Sequence, residues 1–151
     1  MSRMYNFNTY RPVYEKQMDR DNEAELALIV TQKWKCQMSK MKDKSAFDYA
    51  AIRSNEVMAF IEMKTRKTEM NKYPSYLISF TKVWKAKQLY QALHLPVFLL
   101  VKWADKIAFT ALHNCKPKVQ IGGRKDRQDP SDIEPVAMIP LEDFLLLGNK
   151  T

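Results

Sequence analysis

Apolar residues recur along this chain with two periods, one helical and one of two residues, and together they predict most of the elements. Leu26, Ile29 and Val30 fall at helical spacing, with Asp21 or Asn22 as a natural N-cap. The run SFTKVWKAKQLYQALH has the same spacing, whereas VMAFIEMKT and PVFLLVKW have the composition of strands. The predicted helices cover residues 22–36 and 79–94, and the predicted strands cover residues 47–52, 57–65, 96–103 and 107–113.

The stretches between these elements are polar, and we predict loops or short elements for them. Residues 37–45 and 66–75 are rich in lysine, and residues 122–135 combine glycine, proline and charge, so all three are predicted loops. Residues 136–139 are predicted as an edge strand and residues 141–147 as a short terminal helix.

The order of the predicted elements indicates the fold class. A helix between two pairs of strands is typical of a crossover onto a mixed sheet, so we expect an α/β or α+β class. The length of 151 residues suits a single domain over 1–151 with one substantial core. Residues 1–20 are polar and aromatic without a clear period, and we expect them to form an N-terminal arm.

The charge of the chain favours a polyanionic partner. Lys and Arg number 25 against 17 acidic residues, which gives a net charge of +8. Nucleic acid fits this charge better than a membrane surface does, although a solvated lysine-rich face explains it equally well. The two cysteines form no disulfide framework, no apolar run is long enough to span a bilayer, and no signal peptide is visible. An intracellular, reducing compartment is therefore expected.

An acid and a base lie inside a stretch that otherwise resembles a buried strand, FIEMKTRK at residues 60–67. Glu62 and Lys64 share one face of that strand. If residues 54–56 form a three-residue hairpin loop, Asp48 of the preceding strand faces Glu62; a two-residue turn would put Asp48 on the opposite face. Facing carboxylates need compensation, and Mg²⁺ or Mn²⁺ would supply it. The alternative is a surface Glu–Lys pair with Asp48 as a strand-end residue.

These residues resemble the PD-(D/E)xK nuclease superfamily, in particular archaeal-type Holliday junction resolvases and small phage-encoded nucleases of the same fold. The resemblance covers about residues 22–112 and is carried by an acid on one strand and by Glu-x-Lys on the next. It implies a restriction-endonuclease-like mixed sheet flanked by helices, and Mg²⁺-dependent hydrolysis of phosphodiester bonds. Phe47 stands where the family often has proline, which weakens the match of the motif but removes no chemical group.

The resemblance also implies roles for individual residues. Asp48, Glu62 and the backbone carbonyl of Met63 would bind the metal ion, and Lys64 would be the catalytic lysine. The superfamily has a further acid on the first helix. The predicted candidates for that acid are Glu23 and Glu25, with Glu23 preferred because it lies on the apolar side of the helix. The predicted nucleic-acid contacts are Arg66, Lys67, Lys72 and Lys82.

The expected function is therefore that of a metal-dependent DNA endonuclease. Little of the chain lies outside the core, so recognition of DNA structure, such as branches or ends, or low sequence specificity is expected. Symmetrical cutting of two strands would require a homodimer. The likeness to phage nucleases implies action in a host cytoplasm. Two alternatives stay open from the sequence: a non-catalytic basic module that binds nucleic acid, and a nuclease that acts on RNA.

Overall fold

The computed structural model describes residues 17–123 and 133–147, and the predicted arm lies almost entirely outside these residues. The first helix, α1 (Gln17–Trp34), begins five residues before its predicted start. The predicted N-cap at Asp21 or Asn22 is therefore wrong, because the preceding polar residues continue the helix without adding an apolar period. The second helix, α2 (Phe80–Leu93), agrees with its prediction within one residue at each end.

Nine strands form two sheets among the described residues. They are β1 (Gln37–Lys40), β2 (Tyr49–Arg53), β3 (Glu56–Thr65), β4 (Ser75–Ser79), β5 (Val97–Lys102), β6 (Ile107–Ala111), β7 (Lys118–Gly123), β8 (Ile133–Pro140) and β9 (Leu145–Leu146). The larger sheet has the order β1-β2-β3-β5-β6-β9, and the smaller one has the order β4-β8-β7. Among the strands of the described residues, only β3 and β5 pair in parallel, which confirms the predicted mixed sheet with α2 in the crossover.

The core covers both faces of the larger sheet. On one face, α1 packs Leu26 and Val30 against Ile61 and the neighbouring strands. On the other face, Val83 of α2 and residues of the smaller sheet pack against Leu99 and its neighbours on β5. Strand β5 is consequently buried on both faces, as a near-continuous apolar run predicts.

The hairpin between β2 and β3 differs from the predicted one in its turn. Arg53 pairs with Glu56, so the loop contains two residues, and both of them, Ser54 and Asn55, have positive φ angles of 53° and 63°. Such a turn matches the twist of the strands. The register then shifts between Ala51 and Ile52.

That shift is a β-bulge, and it decides which residues face each other further along the hairpin. Ile52 pairs with Val57 but Ala51 pairs with Ala59, so Met58 has no partner on β2. The extra residue restores the register that a three-residue loop would have given. The predicted loop is therefore wrong, yet the predicted alignment of Asp48 with Glu62 is retained.

Several other predicted elements are corrected by the structure. The predicted loop over 37–45 contains β1, whose polar and mostly exposed residues carry no apolar alternation. Strand β8 is the central strand of its sheet and not the predicted edge strand. The prediction is wrong because it did not include the two neighbouring strands, β4 and β7. The predicted helix over 141–147 is a 3₁₀ turn, Leu141–Asp143, followed by β9. Most of the predicted loop over 122–135 lies outside the described residues.

No helix of the described part of the chain is both long and apolar enough to cross a membrane.

Candidate active site

Glu62 is a buried carboxylate held between two lysines. Its side chain is only 2% exposed and lies on the face of β3 that packs against α2. Lys64 Nζ is 3.3 Å from Glu62 Oε2, and Lys82 Nζ is 3.2 Å from Glu62 Oε1. Lys82 comes from the first turn of α2 and also donates a hydrogen bond to the carbonyl of Ala46. Each oxygen of the carboxylate therefore has one ammonium group beside it.

Asp48 lies immediately before β2, and the backbone fixes its position beside Glu62. Its N–H donates to the carbonyl of Ile61 at 3.0 Å, and its carboxylate Oδ2 accepts a hydrogen bond of 2.8 Å from the N–H of Met63. The Met63 side chain is buried among the residues that pack against α1, so Met63 presents only its backbone to the site. The structure thus brings Asp48, Glu62, Lys64 and the Met63 backbone together, as predicted.

The electrostatics of Glu62 reflect this crowding. Burial raises the pKa of Glu62, and the negative charge of Asp48 raises it further. The positive charges of Lys64 and Lys82 lower it, but the net effect is a pKa above the ordinary value. The site therefore disfavours two ionised carboxylates when only the lysines compensate them.

The donor set suits a divalent cation with a preference for oxygen. Within the described ranges no three His, Cys, Asp or Glu side chains come close enough to form a metal site. The available set is instead the predicted one, with two carboxylates and one backbone carbonyl as hard oxygen ligands. A further positive charge at this position would offset the burial of Glu62 and the repulsion from Asp48, which together raise the pKa of Glu62. Asp48, Glu62 and Met63 therefore fit Mg²⁺ or Mn²⁺.

The two candidate acids of α1 occupy different surroundings. Glu23 pairs with Lys40 of β1, and the Lys40 ammonium also lies 5.1 Å from the centre of the Tyr49 ring. Burial lowers the pKa of Lys40, but the hydrogen bond and charge of Glu23 and the charge of Asp48 outweigh burial and raise it. Glu23 is thus connected through Lys40 to the surroundings of Asp48.

Glu25 has no such connection, since its side chain is 62% exposed and pairs with Lys102 at 3.0 Å. Because α1 begins at Gln17, both acids lie beyond the first turn in which they were predicted. The sequence does not single out Lys40, because the polar residues of β1 show no apolar alternation and predict a loop.

The predicted nucleic-acid contacts separate into two groups. Arg66, Lys67 and Lys72 are exposed on the segment that joins β3 to β4. The Arg66 guanidinium lies 4.9 Å from the centre of the Tyr76 ring, and the Lys72 ammonium lies 5.6 Å from that of Tyr73. Lys82, in contrast, is half-buried against Glu62, so it belongs to the acidic site and not to the exposed basic group.

The family of this chain follows from its sequence as a whole. Residues 9–147 match the model of the family described as "Phage putative PDDEXK endonuclease". The chain therefore belongs to this family of PD-(D/E)xK endonucleases, and the resemblance drawn from Asp48, Glu62 and Lys64 is confirmed at the level of the family.

Among solved structures, the chain is similar to Hjc of Archaeoglobus fulgidus, a Holliday junction resolvase from an archaeal hyperthermophile. The two share 15% sequence identity with a TM-score of 0.47, over 64% of this chain and 74% of that one. A comparison with curated proteins gave no match. The family match, and not this structural likeness, carries the assignment.

Proposed function

We propose that this protein is a metal-dependent endonuclease that hydrolyses phosphodiester bonds of DNA. One observation carries the proposal: Asp48 and Glu62 lie side by side, with the Lys64 ammonium 3.3 Å from the Glu62 carboxylate. Membership of a PD-(D/E)xK endonuclease family supports it. A buried carboxylate beside a second, half-buried one is costly for the fold, so a purely structural role explains the arrangement poorly.

The roles follow from the surroundings of each residue. Asp48, Glu62 and the Met63 carbonyl would hold Mg²⁺, for which Mn²⁺ can substitute because it prefers the same oxygen ligands. When bound, such an ion supplies an activated water and neutralises charge at the scissile phosphate. Lys64 places a positive charge where the phosphate oxygens gain negative charge in the transition state. Lys82 lowers the pKa of Glu62 and thereby favours the ionised form that binds metal.

Glu23 is the proposed acid of α1 in this mechanism. Its carboxylate reaches the surroundings of Asp48 through Lys40, whereas Glu25 points to Lys102 at the surface. Glu23 would act by holding the Lys40 ammonium beside the Tyr49 ring. Glu23 would therefore be a positioning residue, because it keeps the positive charge of Lys40 near Asp48.

The proposed substrate is DNA, read by structure or with low sequence specificity. The exposed residues Arg66, Lys67 and Lys72 follow β3 directly and can contact phosphates near the cut. The net charge of +8 predicts an affinity that falls steeply as salt increases. Branched DNA, a homodimer that cuts two strands, and action inside a cell belong to the same proposal. The alternative, a non-catalytic module on this fold, would bind DNA with the same salt dependence.

A cleavage panel separates these functions. Linear, nicked, flapped and four-way DNA, with matched RNA, are incubated with Mg²⁺, Mn²⁺ or EDTA. We expect cleavage of DNA that requires the metal, and Lys64→Ala should lower its rate on the order of 10²–10³-fold while most of the DNA affinity remains. Lys106→Ala, an exposed lysine in the turn between β5 and β6, is the matched control and should cleave normally.

The contrary results of the panel are distinct from one another. Binding without cleavage of any substrate in Mg²⁺ or Mn²⁺ would favour the non-catalytic module. Cleavage of RNA alone would show that RNA and not DNA is the substrate, and it would leave the proposed site unchanged. Wild-type rates in Lys64→Ala would remove Lys64 from the mechanism.

A further inference from the structure

A cavity of about 430 Å³ opens between β4, β8 and the segment that follows β3. Its walls are mainly aromatic and aliphatic, and Arg66 is the only charged residue among the described residues that line it. The lining residues that matter here are Arg66, Met70, Tyr73, Tyr76, Trp103 and Leu141. A pocket of this size with a few polar groups is typical of a site for a small ligand or for one part of a larger one.

Tyr76 lines this cavity with its side chain, and its hydroxyl is a polar group that the described residues do not satisfy. Its side chain is 5% exposed, and its hydroxyl is buried without a hydrogen-bond partner among the described residues. The ring packs edge-on against Trp103, with ring centres 6.0 Å apart, and the Arg66 guanidinium covers the ring at 4.9 Å. Buried hydroxyl groups nearly always have partners, so the Tyr76 hydroxyl would gain a hydrogen bond if its side chain turned toward a polar group bound in the cavity.

The cavity adjoins the candidate active site. Arg66 follows Lys64 by two residues at the end of β3. Burial raises the pKa of Tyr76 to about 12, Arg66 lowers it, and the charge of Glu62 raises it, so the Tyr76 hydroxyl lies within electrostatic reach of the Glu62 carboxylate. Arg66 thus lies both at the end of β3 beside Lys64 and in the wall of the cavity.

We propose that the cavity receives one unpaired nucleobase of a DNA strand whose phosphates contact Lys64 and Arg66. The proposal rests on the proposed nuclease function and specifies which DNA structures it favours. A base inserted here would stack against Tyr73 and Trp103, and its polar edge would provide the partner for the Tyr76 hydroxyl. Arg66 would attract the phosphate of the same nucleotide. A base within a perfect duplex could enter only after unpairing, so flaps, gaps and branch points would be favoured.

The test compares two short duplexes that contain 2-aminopurine, either unpaired or paired, titrated with the full chain in EDTA so that the DNA stays uncut. We expect the fluorescence of the unpaired base to change upon binding, and the unpaired duplex to bind on the order of tenfold more tightly. Tyr73→Ala should abolish most of that preference, because it removes a ring on which the base would stack. The fold should tolerate the change, since Tyr73 is 58% exposed and contributes little to the core. Tyr76→Phe keeps the ring and removes only the hydroxyl, so it should reduce the preference without unfolding the protein.

Trp84→Ala is the matched control, since Trp84 is 51% exposed and lies outside the cavity lining. It should keep the full preference. Equal affinity for both duplexes, or equal losses in Tyr73→Ala and Trp84→Ala, would overturn the proposal. Neither result touches the nuclease function, which the cleavage panel tests separately with Mg²⁺ and Mn²⁺.

Discussion

The Asp48 carboxylate accepts a hydrogen bond from the backbone N–H of Met63, the residue that separates Glu62 from Lys64. An acid that precedes β2 is thus tied to the main chain of β3 at the position where the acid and the base of that strand lie. Because the contact is to the backbone, any side chain with a well-placed oxygen can preserve it. Charge and geometry at this position can therefore be changed independently.

Asp48→Asn should stop cleavage without weakening the fold. The amide oxygen can still accept from the Met63 N–H, while the loss of the negative charge weakens metal binding. The same loss removes a repulsion that raises the pKa of Glu62, so the melting temperature in EDTA should stay equal or rise. Cleavage rates in Mg²⁺ and thermal unfolding in EDTA measure the two effects.

Asp105→Asn is the matched control for this experiment. Asp105 Oδ1 also accepts a backbone hydrogen bond, from the N–H of Met70 at 2.9 Å, but lies away from Glu62. We expect normal cleavage from Asp105→Asn. An Asp48→Asn variant that cleaves at the wild-type rate would show that the carboxylate binds no essential metal.

Lys82→Ala should shift the pH dependence of cleavage. Lys82 lowers the pKa of Glu62 through its charge and its hydrogen bond, so its removal raises that pKa further. If the ionised form of Glu62 binds the metal, activity is present above the pKa and lost below it, and the acidic limb of the rate profile moves to higher pH. Cleavage measured across pH at saturating Mg²⁺ reports this shift.

The neighbouring exposed residue Lys85 provides the comparison, because Lys85→Ala removes the same charge from α2 without contact to Glu62. Its rate profile should match the wild type. A uniform loss of rate in Lys82→Ala at every pH would contradict the electrostatic role of Lys82 and indicate a direct role at the phosphate.

Glu23→Gln should lower cleavage more than Glu25→Gln. Both acids lie on α1 and both pair with a lysine, which makes them a matched pair. Only Glu23 is linked through Lys40 to the surroundings of Asp48. We expect a loss of about tenfold or more for Glu23→Gln and almost none for Glu25→Gln, measured as single-turnover rates. Equal rates in the two variants would exclude a special role for Glu23.

The two-residue turn of the β2–β3 hairpin gives a test of stability. Ser54→Val places a β-branched side chain at a φ of 53°, which should cost about 1–2 kcal/mol of unfolding free energy. Asn55→Gly, at a φ of 63°, should be neutral or stabilising. Urea unfolding of both variants measures the difference. Equal stability of the two would indicate that the turn does not have this conformation.

The sequence was sufficient to predict that Asp48 and Glu62 lie together, but not the turn and the bulge of the hairpin that aligns them. Alternation along β3 placed Glu62 and Lys64 on one face, and counting back through the hairpin placed Asp48 opposite Glu62. The predicted alignment depends on a three-residue loop, whereas the structure has a two-residue turn and an unpaired Met58. The two arrangements give the same alignment, because each adds one residue to the β3 side.

Two of the unpredicted strands, β1 and β7, are largely exposed. Strand β1 is polar, and the apolar residues Val119 and Ile121 of β7 are themselves exposed, so burial marks neither strand clearly in the sequence. Without them, Lys40 had no position beside Glu23. The cavity at Tyr76 arises from the packing of two sheets, which no local pattern encodes.

Because Met58 is unpaired, the hairpin could lose this residue without changing the alignment of Asp48 with Glu62. Every pair from Ala51 to Tyr49 is formed beyond the bulge, and every pair from Ile52 to Arg53 before it. A chain that lost Met58 could therefore keep all of these pairs and form a regular hairpin around the same turn. A related chain could lack this residue while Asp48 and Glu62 keep their alignment, so the tip of the hairpin is free to diverge.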